Sequence, residues 1–248
     1  MERGHPHTSR SVFADAEHWG GNSFRLGSPS HLAILTAVVL FQVLILDRYG
    51  DADEATKRRV RIGLVVTLWG QEVAYHAWRA ATKTWSVREM LPLHLCSVAV
   101  WLSGLTLLTG NQRLYDHAYY LALTGSLVGL ATPDIGRFGF PHFRFFQFFA
   151  SHGQILTMPL WMTFAEGRRP SKGSLSRALG WTVVHAGAAF LVNRKLGSNY
   201  MFVNRKPATR SVLDQLPAWP GYLPLMGAAV AGLFALEYAP FARRKRRH

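Results

Sequence analysis

Two short stretches of an otherwise apolar sequence carry residue types that could do chemistry. Residues 91–96 read Leu-Pro-Leu-His-Leu-Cys and end at Cys96, the single cysteine of the 248-residue chain. Residues 141–153 read Pro-His-Phe-Arg-Phe-Phe-Gln-Phe-Phe-Ala-Ser-His-Gly and include His152. A thiol becomes a strong nucleophile when a neighbouring base takes its proton, and a cysteine beside a histidine is a widely used arrangement for acyl transfer. We therefore predict that Cys96 and His152 form a catalytic pair.

The same residues have simpler or different interpretations. A cysteine in a membrane helix is usually a packing residue, because thiols are easily buried. Glu72, His76 and His152 could instead bind zinc, since imidazole and carboxylate groups suit that ion. His142 or Asp134 would then supply a further ligand, although the spacing matches no dedicated metal motif. Ionisable groups in membrane helices also line proton and ion paths. A transporter or a metal-dependent membrane protein is therefore the alternative interpretation.

The composition indicates a polytopic membrane protein. Hydrophobic residues make up 49% of the chain and charged residues only 17%, and the charges are concentrated between long apolar runs. The net charge of +14 comes from basic residues that flank these runs. Such residues set topology and bind anionic lipid headgroups, so we expect no nucleic-acid partner. The single cysteine excludes an intramolecular disulfide, and the first 28 residues lack the apolar run of a cleaved signal peptide.

Seven apolar segments are long enough to cross a membrane as helices, which requires about 17 to 25 residues each. The sequence therefore predicts an all-α polytopic membrane protein with seven transmembrane helices. The predicted spans cover residues 28–46, 62–81, 90–109, 114–131, 143–165, 175–192 and 221–239.

Lysines and arginines set the expected orientation of these spans. They cluster directly against helix ends on the side that contains residues 57–61 and 168–177, and the positive-inside rule makes that side cytoplasmic. The N-terminus is then outside and the C-terminus cytoplasmic. We expect a polar N-terminal tail (residues 1–27), a seven-helix membrane domain (28–239) and a basic cytoplasmic tail (240–248) that binds anionic headgroups.

With seven spans, the ends of alternate helices lie on one face of the membrane, and most of the unusual polar residues gather there. At 1.5 Å per residue from the predicted helix starts, Cys96 lies about 9 Å and His152 about 14 Å along its helix, so the two can share a level. Glu72 and His76 share one helix face and can form a pair. The residues expected to bind substrate or to support the catalytic pair are Glu72, His76, His94, Asp134, His142, Arg144, Gln147, Asn199, Lys206 and Asp214.

The two other features near this face are His94 and the long connection over residues 193–220. His94 is a poor base for Cys96, because positions two apart on a helix point away from each other. A connection of this length is often a lid or a binding element. It could equally be an interfacial re-entry anchored by Trp219 and Tyr222.

Six motifs, taken in order, carry a resemblance to a known family. They are Leu-Pro-Leu-His-Leu-Cys, Thr-Pro-Asp, Pro-His-Phe-Arg-Phe-Phe-Gln-Phe-Phe with the following His-Gly, Asn-Tyr-Met, Lys-Pro and Trp-Pro, between residues 90 and 222. Together they resemble the YwaF-type bacterial integral membrane proteins. These look related to the animal transmembrane protein 164, an acyltransferase that moves fatty acyl chains between phospholipids.

The resemblance implies a function and a location. Cys96 would correspond to the acyl-accepting cysteine and His152 to its partner histidine, in a multi-pass protein of a cell membrane, here a bacterial plasma membrane. The expected activity is that of an acyltransferase or transacylase that moves a fatty acyl chain between membrane lipids through a cysteine thioester. Phospholipids or glycolipids would be donor and acceptor, and we expect no metal or other cofactor. The alternative is a transporter or a metal-dependent protein, such as a zinc-dependent lipid hydrolase.

Overall fold

The computed structural model describes residues 11–208 and 211–242, and this part of the chain is helical without strands. It contains seven α-helices: α1 (Pro29–Tyr49), α2 (Glu54–Ala81), α3 (Leu95–Thr109), α4 (Gln112–Ala131), α5 (Phe143–Leu160), α6 (Ser174–Leu196) and α7 (Tyr222–Ala242). A π-helical turn, Trp161–Ala165, extends α5, and two 3-10 turns, Tyr200–Phe202 and Val212–Gln215, lie between α6 and α7. The cationic part of the predicted basic tail, residues 243–248, lies outside the described residues.

Every predicted apolar segment coincides with one of these helices, which confirms the all-helical class. Three of the helices, α1, α6 and α7, are each long and apolar enough to cross a membrane. They bury little of their surface against the rest of the chain, as expected of helices whose neighbours are lipid rather than protein. The remaining four helices carry more polar residues or are shorter.

Two helix starts differ from the prediction. The third helix begins at Leu95 and not near residue 90, because Pro92 has no N–H to donate and disfavours a helical residue before it. His94 caps this helix with extended backbone angles. The second helix begins at Glu54, eight positions before residue 62, since the Asp53 side chain accepts a hydrogen bond from the backbone N–H of Thr56.

Helix α4 lies at the centre of the bundle. It packs most extensively against α3 and α5, and it also contacts α6 and α7. Tyr115, Ala118, Tyr120 and Ala122 are completely buried on it. A helix rich in glycine, alanine, serine and threonine lets its neighbours approach closely, and α4 therefore serves as the surface against which side chains of α3 and α5 meet.

The described part of the predicted polar tail, residues 11–27, is packed across one end of the bundle. The indole N–H of Trp78 donates to the carbonyl oxygen of Phe13 at 2.8 Å. The backbone N–H of Phe143 donates to the carbonyl oxygen of Val12, also at 2.8 Å. Trp19 is buried beside them. This segment, which we call the N-terminal cover, closes over α2 and the start of α5.

The connection between α6 and α7 is fixed to the start of α3. The hydroxyl of Tyr200 donates to the carbonyl oxygen of Val87 at 2.5 Å and accepts from the N–H of Leu91 at 3.0 Å. Asn193 of α6 stabilises the 3-10 turn at Tyr200 by donating to the carbonyl oxygen of that residue at 2.9 Å. The next residue, Met201, has a left-handed φ of 56°, a conformation that costs a non-glycine residue energy and persists where its surroundings impose it.

Candidate functional site

Cys96 and His152 lie against one strip of α4. The thiol of Cys96 donates to the carbonyl oxygen of Gly125 at 3.6 Å, and a methyl group on Gly125 would lie 3.3 Å from the sulfur. A methyl group on Gly129 would lie 2.4 Å from Cδ2 and 2.6 Å from Nε2 of His152. Because positions four apart on a helix are neighbours about 5 to 6 Å apart, the sulfur and Nε2 are at most about 12 Å apart.

The glycine strip was missed in the sequence, although its signal was present. Residues 125–129 read Gly-Ser-Leu-Val-Gly, a Gly-xxx-Gly pattern that is typical of close approach between membrane helices. Here the space left by the two missing side chains holds a thiol and an imidazole. The strip therefore places the two predicted reactive groups against the same side of α4.

His152 is oriented for use as a base. Its Nδ1 lies 2.9 Å from the carbonyl oxygen of Phe148, so Nδ1 carries the proton and Nε2 has the free lone pair. The ring stacks on Phe148 with a centroid distance of 4.1 Å and is only 8% exposed. Among the hydrogen bonds of the described residues, none involves Nε2. The atom that would take a proton from a thiol is thus the unused one.

Cys96 lies in the first turn of α3. The predicted position, about 9 Å along its helix, is wrong because the helix begins at Leu95 and not at residue 90. The cap residue His94 makes no side-chain hydrogen bond to this turn. The N-terminal end of a helix carries partial positive charge. The later helix start therefore places the sulfur near this positively polarised end, which the sequence did not predict.

A chain of side-chain hydrogen bonds leads from Arg144 towards the catalytic pair. Arg144 donates to the Oε1 atom of Gln147, and Gln147 donates to the Oε1 atom of Gln71 at 2.6 Å. Gln71 then donates to the hydroxyl of Ser151 at 3.1 Å, next to His152 in α5. Arg144 and Gln147 were predicted site residues, whereas Gln71 and Ser151 were missed. The sequence signal that could have identified Gln71 was its polar side chain next to Glu72 within a predicted membrane span.

The predicted pair of Glu72 and His76 is present. The Nε2 atom of His76 lies 3.5 Å from a carboxylate oxygen of Glu72, and Nδ1 accepts from the indole N–H of Trp85 at 3.0 Å. Glu72 is buried next to Gln71 on α2. The pair therefore lies beside the hydrogen-bond chain.

Two of the predicted site histidines, His142 and His94, form hydrogen bonds and ring contacts with neighbouring segments of the chain. His142 caps α5: its Nδ1 accepts from the N–H of Arg144 at 3.0 Å, and its Nε2 donates to the carbonyl oxygen of Ala14 at 2.8 Å. His94 accepts from the N–H of Met201 at 3.3 Å and packs edge to face against Tyr200. Both rings therefore hold neighbouring segments of the chain in place.

The three predicted site residues of the long connection form hydrogen bonds within that connection. Lys206 donates to the carbonyl oxygen of Leu216 at 2.7 Å, and Asn199 donates to that of Arg205 at 2.9 Å. Asp214 accepts from the N–H of Ser211 at 2.8 Å. These side chains give the connection a fixed shape, and the structure does not bring them to the catalytic pair.

A cavity of about 290 Å³ lies between the N-terminal cover, α2 and the loop before α5. Arg144 links it to the hydrogen-bond chain described above, and its guanidinium lies 4.4 Å from the ring centre of Tyr75. Cationic and aromatic groups dominate its wall, which also carries the predicted site residue Asp134. The lining side chains are Tyr75, Trp78, Arg79, Asp134, Arg137, Phe138 and Arg144, with Ile135 and Ala16.

The described residues do not form a metal site of the kind that the alternative interpretation requires. No three histidine, cysteine, aspartate or glutamate side chains between residues 11 and 242, as far as the structure describes them, lie close enough to hold an ion. Both ring nitrogens of His142, a suggested ligand, already take part in hydrogen bonds.

Comparison with known proteins gives a relative and a family. An uncharacterized protein of Treponema pallidum (strain Nichols) is 29% identical over 157 residues, which are 63% of this chain and 64% of the relative. The chain thus spans somewhat less than two thirds of the length of the curated relative that it matches. No solved structure matches. The family model of the TMEM164 family matches residues 26–238, which confirms and extends the resemblance seen in residues 90–222. The chain is a membrane protein that belongs to the TMEM164 family.

Proposed function

We propose that the protein is a membrane acyltransferase in which Cys96 carries the acyl group and His152 acts as the base. The observation that supports this most is the shared glycine strip on α4, where the only cysteine of the sequence lies near a histidine whose Nε2 is unused. A buried neutral imidazole with one fixed nitrogen and one free nitrogen suits proton transfer.

The reaction would proceed in two steps. His152 takes the proton of the Cys96 thiol, and the thiolate attacks the carbonyl carbon of a lipid ester. The ester C–O bond breaks, the lysolipid oxygen leaves with the proton from the imidazole, and an acyl thioester remains on Cys96. The hydroxyl of an acceptor lysolipid or glycolipid then attacks the thioester while His152 takes its proton, and the returned proton restores the thiol. In the resting structure the thiol donates to Gly125, so it must leave that carbonyl first.

The 290 Å³ cavity would hold the headgroup of the lipid. Arg144 and Arg137 line it, and planar guanidinium groups are suited to phosphate oxygens. A phosphate bound there would be joined to the catalytic end of α5 through Gln147 and Gln71. Membrane phospholipids or glycolipids are therefore the proposed donor and acceptor.

The proposed topology has all seven helices crossing a bacterial plasma membrane. Helices α1, α6 and α7 would face lipid along most of their length, and α2, α3 and α4 would meet it through exposed apolar side chains such as Val66, Leu105 and Leu127. The N-terminal cover would lie outside, and the basic tail would bind anionic headgroups on the cytoplasmic side. Labelling of single cysteines introduced at residues 21 and 172 of a Cys96→Ser background from each side of sealed vesicles tests this orientation.

The decisive experiment is acyl exchange by purified protein between a labelled phospholipid and an unlabelled lysolipid. Wild type is expected to transfer the label, and Cys96→Ser to lose the thioester route. Ser97→Ala is the matched control, because it changes a neighbouring hydroxyl in the same helical turn. Mass spectrometry should find an acyl group on Cys96 that hydroxylamine removes. Equal turnover by Cys96→Ser and wild type would eliminate the thioester mechanism.

Metal analysis of the same protein separates the proposal from its alternative. A transporter or zinc-dependent hydrolase would use Glu72, His76 and His152, and the close contact of the first two is the feature that favours it. Stoichiometric zinc that is lost in His152→Ala, together with full activity of Cys96→Ala, would replace the acyltransferase assignment.

A further inference from the structure

A second cavity, of about 410 Å³, opens sideways between the end of α5 and the end of α7. Its floor is formed by Tyr119 and Leu123 of α4, and its rim includes Phe164, Phe241 and Arg169. This volume falls in the range of sites that hold small organic ligands. We call this cavity the lateral cleft.

Both helices that border the lateral cleft carry a proline at this level. Pro159 interrupts α5 just before the π-helical turn, and Pro240 lies near the end of α7. Each proline removes one helical N–H donor, and both prolines line the cleft above α4. The π-helical turn directs Phe164 outwards, with 71% of the residue exposed. Turns of this kind occur frequently at functional sites.

The polar end of the cleft carries unneutralised positive charge. Arg169 has no side-chain hydrogen bond or ion pair within the described part of the chain. Two nearby carboxylates are already used: Asp116 accepts from Ser171 and from Arg177 at 2.9 Å, and Glu166 is paired with Arg61 at 2.8 Å. A third, Glu237, accepts from Thr124 at 2.7 Å. An anion is therefore the complementary group for Arg169.

The depth of Leu123 along α4 matches the thickness of one membrane leaflet. Leu123 lies 11 positions after the first residue of α4, or about 16 Å along the helix. Half of a hydrocarbon core of about 30 Å is nearly the same length. A ligand with an anionic group at Arg169 and an apolar chain reaching Leu123 would match both the charge and the depth of the cleft.

We infer that the lateral cleft binds one anionic phospholipid, with its phosphate at Arg169 and an acyl chain along α4 to Leu123. This site is separate from the proposed catalytic pair. Leu123 and Gly125 are two positions apart and so point to different sides of α4. The inference therefore stands whether or not the protein transfers acyl groups.

Photocrosslinking in lipid nanodiscs tests the inference. The protein would carry p-benzoylphenylalanine in place of Phe164, in a bilayer of equal phosphatidylglycerol and phosphatidylcholine, and mass spectrometry would identify the captured lipid. We expect about fivefold enrichment of phosphatidylglycerol, the effect of one basic residue near an anionic headgroup. The same probe in place of Trp181, which is 60% exposed on α6, should capture both lipids equally. Equal mixtures at both positions would mean non-specific boundary lipid and would overturn the inference.

Two variants locate the bound phosphate. Arg169→Gln should abolish the enrichment at position 164, whereas Lys172→Gln, an exposed cation in the same loop that does not line the cleft, should preserve it. An equal loss in both variants would indicate general surface charge and would contradict the site. Leu123→Phe should reduce total capture at position 164 by filling the floor, with thermal unfolding as its folding control. If that variant does not fold, the pair of loop variants still decides the outcome.

Discussion

The two ends of the bundle differ in how their central ionisable side chains are paired. At the end near residues 166–177, the buried carboxylate of Asp116 is surrounded by donors, although Arg169 at the rim of the lateral cleft has no side-chain partner in the described part of the chain. Asp116 accepts from Gln112 at 2.8 Å, from the N–H of Ser171 at 2.9 Å, from the Ser171 hydroxyl and from Arg177 at 2.9 Å. We call this end the closed end.

At the opposite end, which we call the open end, some polar groups lack an ion-pair or hydrogen-bond partner among the described residues. Arg144 donates to an amide oxygen of Gln147 and not to a carboxylate, and His152 has a free Nε2. Buried polar groups are normally satisfied by partners within the fold, and exceptions concentrate at functional sites. From this difference we infer that the Asp116 cluster of the closed end serves stability and that the open end serves the proposed chemistry, and four predictions test that division.

The largest expected effect is on activity at the open end. His152→Gln keeps a polar side chain of similar size but removes the base, so we expect acyl exchange to fall by about 10² to 10⁴ fold. Thermal unfolding should change little, because the imidazole makes only one hydrogen bond. The corresponding change at a histidine outside the pair, His117→Gln, is the control for activity. Loss of folding with unchanged specific activity would contradict the assignment of this end.

The second effect is on stability at the closed end. Asp116→Ala leaves Arg177 and Ser171 without their shared acceptor, and we expect the free energy of unfolding to fall by about 3 kcal/mol. The low end of the usual range applies because the Arg177 side chain is 49% exposed. Denaturant unfolding in detergent measures this, with the exposed Asp51→Ala as the control. A loss of activity in Asp116→Ala protein that is still folded would mean that the two ends are coupled.

The third effect tests the glycine strip. Gly129→Ala places a methyl group 2.4 Å from the ring of His152, so the imidazole must move by about 1 Å. A displacement of that size can cost about 10² fold in rate. Gly187→Ala is the matched control, since no atom lies within 4 Å of its added methyl group. Acyl exchange measures both, and wild-type activity of Gly129→Ala would show that His152 need not occupy this position.

The smallest effect concerns pH and the N-terminal cover. Burial lowers the pKa of His142 below its ordinary value, so the folded protein keeps this ring neutral while the unfolded chain takes up a proton. Stability should therefore be complete above pH about 6.5 and fall as the pH decreases below it. Hydrogen exchange should rise over the same range at the start of α5, because a second ring proton removes the acceptor for the N–H of Arg144. It should also rise in residues 11–27, where Trp19 packs on the ring of His142. His142→Asn, which retains a capping side chain, should lack this pH dependence, and an unchanged profile would exclude His142 as its cause.

The sequence predicted what depends on local pattern. Apolar runs identified all seven helices, since each helix needs a stretch of suitable length, and the spacing of Glu72 and His76 predicted their contact. The start of α3 was misplaced because hydropathy outweighed the local effect of Pro92. That error did not change the prediction that Cys96 and His152 lie at the same end of the bundle, where both pack on the glycine strip of α4.

What the sequence did not predict depends on contacts between distant positions. Arg61 and Glu166 are 105 residues apart, and Asp116 and Ser171 are 55 apart. In the sequence these charges resemble ordinary topology signals at helix ends. Their pairing is visible only once α4, α5 and α2 are packed together, because no local period relates such positions.

The N-terminal cover has a consequence for how relatives of this protein can differ. The bundle holds the cover through the carbonyl oxygens of Val12, Phe13 and Ala14, and every amino acid supplies that group. The path of the backbone can thus be inherited while its side chains drift. The stretch that matches the family begins only at residue 26. A segment of different amino-acid sequence in front of the first helix could therefore still cover the same end of the bundle through its backbone.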